Sequence, residues 1–411
     1  MPRRAQVTDD RVVPGLPVDG IRLGVEQAGI KKPDHDDLTV VELSPGTVTS
    51  AVFTRNAFRA APVLLAEKHL DASAGEPSYW VINTGNANAG TGDAGLQAAQ
   101  AVCDAVAWHG SIDAAQVLPF STGVIGEPLP AEKIVAAMQG AFGDLSPMGW
   151  QRAASAILTT DTRPKLRSVM FEVDGVPCVI TGMSKGSGMI CPNMATMLAF
   201  VATDAKVRRP VLEKLWREVV DASFNRITVD GDTSTNDAAL LSATGRGALE
   251  IADEISPSYG PFREALRALS MDLAQDIVRD GEGATKFVEI RVEQGESEAE
   301  CDQIARTIAH SPLVKTALFA KDPNWGRLLA AIGRAGVEAL DVSRVTLLIN
   351  GCLIAEGGAR AASYTEAQGV AAMAPEDIVI RVLLARGDTA ATVWTSDLSY
   401  EYVRINADYR T

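Results

Sequence analysis

Apolar positions recur along this chain with two different periods. Runs such as LTVVEL (Leu38–Leu43) and YWVIN (residues 79–83) are short and nearly all apolar, as buried strands are, whereas residues 94–109 space alanine, valine and leucine along one helical face. RSVMFEV (167–173), Asp174-Gly175 and VPCVIT (176–181) predict a hairpin, because Asp-Gly supplies the positive φ angles of a two-residue turn. Helices are expected over 209–221 and 261–276, then a strand over 286–292. Ser297 with Glu300 makes a capping-box start for a helix to about His310. A second hairpin is expected at 345–349, Asn350-Gly351 and 352–355, followed by strands at 378–385, 392–395 and 400–405. The pattern is mixed α/β with antiparallel hairpins rather than repeated βαβ units. A soft domain boundary falls near 283–286, separating residues 1–285 from 286–411.

One stretch departs from both periods. KGSGMICPNMATMLAFVATDA (185–205) carries no charge from Gly186 to Thr203. Its length suits a membrane span, but Gly186, Ser187, Gly188, Pro192, Asn193 and Thr196 are costly in lipid and no second candidate exists. It reads as a loop that becomes a strand from about Ala195. Composition agrees: 411 residues, 46% apolar and 22% charged, are ordinary globular material. The formal charge of −14 is spread without long runs, and no basic patch invites a nucleic acid. Arg3 and Arg4 are not followed by the apolar core of a secretory signal, so the expected location is the cytoplasm. Five widely spaced cysteines without a CxxC pair, and four scattered histidines, predict neither a disulfide framework nor a metal site.

Several motifs fail on inspection. GSGMIC puts Cys191 where a dinucleotide fingerprint needs its last glycine. DGDTSTND (Asp230 to Asp237) lacks the sixth-place glycine of a calcium loop, and Leu241 stands where its closing glutamate belongs. It is either a polar turn or a loop that lines a site. Thr196 has a more unusual setting, behind the small-residue approach Pro192-Asn193-Met194-Ala195. An isolated hydroxyl is a weak nucleophile. If the peptide bond before Thr196 is cut, its own α-amine becomes a base within reach, and no histidine is needed.

KGSGMICPNMATML strongly resembles the signature of the ornithine acetyltransferases, the glutamate N-acetyltransferases of arginine biosynthesis. Further blocks match in the same order: GIK (29–31), SAVFTRNAFRAAPV from Ser50, INTGNANAGTG from Ile82, FSTGVIGEPLP from Phe120 and AILTTDT from Ala156. VDGDTSTNDA from Val229, DGEGATKF from Asp280, DPNWGR from Asp322 and the closing NADYRT continue the match over essentially the whole chain.

The resemblance implies self-cleavage at Ala195–Thr196 into chains 1–195 and 196–411 that stay assembled, commonly as an α2β2 dimer of processed units. Thr196 would take the acetyl group from N2-acetylornithine and pass it to glutamate, with Thr122 and Gly123 as oxyanion hole. Substrate contacts carry over to Thr159, Lys185, Thr196, Glu282, Asn406 and Thr411, with Thr160 the alternative to Thr159. Lys185 and Glu282 suit the opposite charges of an amino acid, in either pairing. Cys191 receives no role. No cofactor is implied, although some family members also use acetyl-CoA as donor. The implied fold is an α/β sandwich of the self-processing aminopeptidase type, N-terminal-nucleophile-like, with a smaller C-terminal α/β domain. The alternatives are an aminopeptidase or amidase on that scaffold and a non-enzymatic binding protein.

Overall fold

The computed structural model describes residues 15–191 and 197–408. These residues divide into two compact units. One takes the chain up to Gly186, residues 197–225 and Thr233–Ile277; the other takes Ser187–Cys191, Arg226–Asp232 and the chain from Val278.

The first unit runs β1 (Ile21–Glu26), β2 (Leu38–Leu43), β3 (Val48–Phe53), α1 (Ala61–Ala72), β4 (Tyr79–Asn86), α2 (Gly92–Gly110), β5 (Val117–Val124), α3 (Ala131–Gly143) and α4 (Trp150–Ala156). It continues through β6 (Lys165–Val173), β7 (Val176–Lys185), β8 (Leu198–Thr203), β9 (Lys206–Val207), α5 (Arg209–Ala222), β10 (Ala238–Ala243), β11 (Glu250–Ile251) and α6 (Tyr259–Arg279). A four-stranded sheet has the order β1-β2-β4-β5 and a five-stranded sheet the order β3-β10-β8-β7-β6.

Strand alternation explains the layers. In β4, Trp80 and Ile82 point to one face, where they join Leu118 and Phe120 of β5 and Leu198 and Phe200 of β8 in a core shared by the two sheets. Phe200 packs against Trp80 and Phe120, with ring centroids 5.5 and 5.1 Å apart. The alternate residues Tyr79 and Val81 face outward onto Val102 and Val106 of α2 and Met138 of α3. Behind the five-stranded sheet, Trp216 of α5 donates its indole N–H to the Ala239 carbonyl at 2.9 Å, and Asp276 of α6 takes a two-point bond from Arg167, each 2.7 Å. The result is the expected α/β sandwich, two sheets face to face between helices.

The second unit contains β12 (Phe287–Gly295), α7 (Glu298–Ala309), α8 (Pro312–Phe319), α9 (Trp325–Gly333), β13 (Thr346–Ile349), β14 (Cys352–Glu356), β15 (Ala359–Arg360), α10 (Glu366–Met373), β16 (Asp377–Leu383), β17 (Thr389–Ser396) and α11 (Tyr400–Ala407). Its mixed sheet has the order β15-β14-β13-β16-β12-β17. Val288, Ile290 and Val292 of β12 bury against Ile304 and Ile308 of α7. Ser297 caps α7 through a bond from the Glu300 amide at 3.2 Å.

One expectation is overturned. Residues 400–405, read as a strand, form the helix α11. Tyr400, Val403 and Ile405 have strand propensity, but Tyr400 and Val403 are exposed and no ladder receives them. A helix instead places Tyr402 and Asn406, four residues apart, on one face, and pairs Glu401 with Arg404. Ala195, the expected start of the strand observed as β8, lies outside the described residues.

Candidate active site

Lys185 ends β7, where the chain leaves the five-stranded sheet. Its ammonium donates to Thr122 Oγ1 and to Thr159 Oγ1, both at 2.9 Å, and lies 4.0 Å from Asp161 Oδ2. Asp161 is the acid beneath this cluster. Its Oδ1 accepts from Lys165 Nζ at 2.5 Å and from the Gly186 amide at 2.7 Å, and its Oδ2 accepts from the Thr159 amide at 3.1 Å. Burial alone would push this carboxyl up. The ammonium groups of Lys185 and Lys165 outweigh it and bring the pKa down to about 2. Asp161 thus remains charged and orders the 159–161 turn and Lys185 together.

Thr122 and Gly123 stand at the end of β5, paired in register with Thr84 and Gly85 of β4. Gly123 has φ 136°, and a Cβ there would lie 2.2 Å from the Gly85 carbonyl carbon, so only glycine fits this approach. The ladder shifts register at Gly85/Asn86. Asparagine side chains finish the turn: Asn83 donates to the Asn86 carbonyl at 2.9 Å and accepts from Ser121 Oγ at 2.5 Å, while Asn86 donates to the Glu127 and Pro128 carbonyls. The INTGNANAGTG block therefore frames the FSTG strand end.

In the second unit, Ser187–Cys191 forms a ledge. Asp230 accepts from the Met189 amide at 2.6 Å and the Ile190 amide at 2.9 Å, and the Tyr402 hydroxyl donates to the same carboxylate at 3.2 Å. Glu282 donates its backbone N–H to the Ser187 carbonyl at 2.8 Å and accepts from Asn406 Nδ2 at 2.7 Å. Its carboxylate occupies the space a side chain at Gly188 would need, 2.5 Å from a built Cβ. Glu282 and Asn406 are thus brought together, on a turn and on α11. Cys191 Sγ lies 3.4 Å from His310 Nε2, which also meets Thr228 Oγ1 at 3.1 Å. Burial, with Arg306 and Lys315 nearby, pulls the His310 pKa down to about 4, and burial pushes the Cys191 thiol up. Both are neutral at pH 7, which leaves Cys191 without thiolate character.

Ala195, Thr196 and Thr411 lie outside the described residues. Sequence reasoning missed Asp161, Lys165 and Asp230, although the first and last stand in quoted blocks. It also missed Asp237, a buried carboxyl whose Oδ2 has no hydrogen-bond partner among the described residues. Burial, only partly opposed by Ser234 and Lys185, raises the Asp237 pKa well above the usual range. A polar cavity of about 800 Å³, lined by Thr54, Arg55, Asn56, Arg59 and Arg217, holds none of the expected site residues.

Residues 22–411 match the ArgJ family. The arginine biosynthesis bifunctional protein ArgJ of Pseudomonas fluorescens (strain Pf0-1) is 55% identical over 396 residues, 96% of this chain and 97% of the relative. Its namesake in Pseudomonas syringae pv. tomato is 54% identical over the same shares. A crystal structure of ArgJ from Bacillus halodurans is 36% identical and covers 50% of this chain and 95% of its own, with a TM-score of 0.47. Ornithine acetyltransferase from Mycobacterium tuberculosis, complexed with ornithine, is 32% identical and covers 45% and 98%, with a TM-score of 0.39. With a family match over nearly its whole length and such close relatives, this chain belongs to the ArgJ family.

Proposed function

We propose that the protein is a glutamate N-acetyltransferase of arginine biosynthesis, which moves the acetyl group of N2-acetyl-L-ornithine to L-glutamate. The observation that carries this reading is 55% identity over 96% of the chain to an arginine biosynthesis bifunctional protein. The chain first cuts itself at Ala195–Thr196, and the two products remain together as an α2β2 assembly. The Thr196 hydroxyl then attacks the acetyl carbonyl while its α-amine takes the proton. That proton passes to the leaving nitrogen, which departs as the amine of ornithine. The glutamate amine attacks the resulting ester, and Thr196 recovers its hydroxyl as N-acetylglutamate leaves.

In each half-reaction Thr122 and Gly123 stabilise the tetrahedral oxyanion. The Thr122 oxygen accepts from the Lys185 ammonium. Its own O–H is thereby polarised and left to donate, as an oxyanion-hole hydroxyl requires. Thr159, Lys185, Glu282, Asn406 and Thr411 contact the amino-acid parts of the substrates. Acetyl-CoA serves as a second donor, in keeping with the bifunctional relatives; no resident cofactor takes part.

Incubation with N2-acetylornithine and glutamate tests the reading. Ornithine and acetylglutamate should appear in equal amounts without free acetate, and denaturing mass spectrometry should show chains 1–195 and 196–411. Release of acetate in place of acetylglutamate would favour an amidase. Turnover by a Thr196→Ala variant would remove the nucleophile.

A further inference from the structure

The VDGDTSTNDA block contributes a second asparagine clamp on the Thr122–Gly123 strand end. Asn236, buried in the first unit, donates through Nδ2 to the Ala87 carbonyl at 2.6 Å and to the Ser121 carbonyl at 2.9 Å. Both partners are carbonyl oxygens, which only accept, so the amide's nitrogen must face them. Its oxygen is taken by the Thr235 hydroxyl at 2.6 Å, which fixes the same orientation from the other side. The Ser121 carbonyl belongs to the peptide whose nitrogen is that of Thr122. Asn236 therefore grips the peptide that leads into Thr122, across 115 residues of sequence.

The position of Asn236 gives this grip a purpose. Two residues later, Ala238 opens β10 and donates its amide to the Met197 carbonyl at 3.0 Å, beside the start of β8. Met197 follows Thr196 directly in sequence. One short segment thus ties the end of β5, in the four-stranded sheet, to the head of β8, in the five-stranded sheet. Thr54 and Asn56 hold that segment in turn, donating to the Ser234 and Thr233 carbonyls at 2.8 Å each.

We infer that Asn236 is a positioning residue for acetyl transfer, which keeps the Thr122–Gly123 oxyanion donors in register with the strand that follows the nucleophile. It touches no substrate; it acts through Ser121 and Thr122. The inference rests on the acetyltransferase reading above. A displacement of about 1 Å in such donors costs up to about a hundredfold in rate.

The test uses the full-length, processed protein with Asn236→Ala and the isosteric Asn236→Asp. In both, kcat for acetylornithine–glutamate exchange should fall roughly ten- to a hundredfold, with KM for either substrate within about twofold. Asn236→Ala combined with Thr122→Ala should lose less than the product of the two single losses, because part of the Asn236 effect runs through the Thr122 hydroxyl and only the Gly123 share remains in the double variant. The rate constant of the acetylation phase, unlike its amplitude, does not depend on how much protein folded, so a poorly folding variant still answers. Unchanged kcat, an effect confined to KM, or losses that multiply in the double variant would overturn the assignment. If Thr196→Ala is inactive while the Asn236 variants run at the parent rate, this inference fails and the acetyltransferase reading stands. Should Thr196→Ala turn over normally, the reading itself fails.

Discussion

Replacing Asp161 by asparagine probes the charge beneath Lys185. The carboxyl titrates at about 2 rather than 3.8 despite its burial, the Lys185 and Lys165 charges overriding the desolvation. At 1.36 kcal/mol per unit, the site favours the ionised form by roughly 2 kcal/mol relative to water. The Asp161→Asn substitution would also leave Lys165, only 1% exposed, without its carboxylate. Breaking one side of a buried pair costs about 3–5 kcal/mol. At about 2–4 °C per kcal/mol, the melting midpoint should drop on the order of 10 °C. Adding Lys165→Met removes the ammonium that faced Asp161 and should recover part of that loss. It does not return a negative charge to Lys185, so the double variant should melt between Asp161→Asn and the parent and still turn over slowly. Calorimetry and exchange kinetics on parent, single and double variants separate these effects. A midpoint for Asp161→Asn within about 2 °C of the parent, or full turnover in the double variant, would refute the reasoning.

In the proposed mechanism Thr122→Ala removes one oxyanion donor and leaves the Gly123 amide, so kcat should fall roughly ten- to a thousandfold; steady-state kinetics with little change would make Thr122 a turn residue. Asn406→Ala removes the bond to the Glu282 carboxylate. KM for the substrate that Glu282 meets should rise about tenfold while self-cleavage, followed by mass spectrometry, proceeds normally. His310 titrates near 4 when folded and near 6.5 when unfolded. The unfolded chain alone takes up its proton between these values, so stability falls as pH drops from about 6.5 to 4. His310→Gln should lose less stability than the parent between pH 7 and 5, and equal losses in pH-dependent melting would exclude the buried imidazole as the cause.

Local chemistry made parts of the fold readable. The hairpin at 167–181 appears as β6 and β7 with Val173 opposite Val176, because Asp174 and Gly175 adopt positive φ angles of 51° and 82°. Helix α5 was visible because Leu212, Leu215, Trp216 and Val219 fall on one face. Sheet order was not visible. β3 pairs with β10, joining Val48 to Ala243, and no turn chemistry spans such a distance. At α11 a run of aromatic and β-branched residues suggested a strand. The bonds of Tyr402 to Asp230 and of Asn406 to Glu282, which set the outcome, are to residues far away in sequence.

The site divides along the same line. The residues proposed for the oxyanion hole and the substrate contacts stand in blocks that carry the family resemblance, so Thr122, Lys185 and Glu282 could be named from the sequence. The residues that hold them could not. Asp161 and Lys165 are four apart, but the segment between them is bend and irregular chain rather than helix, so their spacing alone gave no reason to pair them. DGDTSTND was read as one polar turn or one site-lining loop. Its residues do two separate tasks: Asp230 binds the Met189 and Ile190 amides in the second unit, and Asn236 binds the Ser121 carbonyl in the first. Such acids and amides look in sequence like solvated turn residues, because turns use the same side chains to satisfy their own backbone. For Asp161 and Asn236, what separates the two cases is burial of the side chain. A buried carboxylate or amide must find partners, and here those partners belong to the strand end and the turn that present Thr122, Lys185 and the Ser187–Cys191 ledge. Substitutions at Asp161, Asp230 and Asn236 should therefore disturb catalysis through geometry, and their effects should be strongly non-additive with those of the residues they hold.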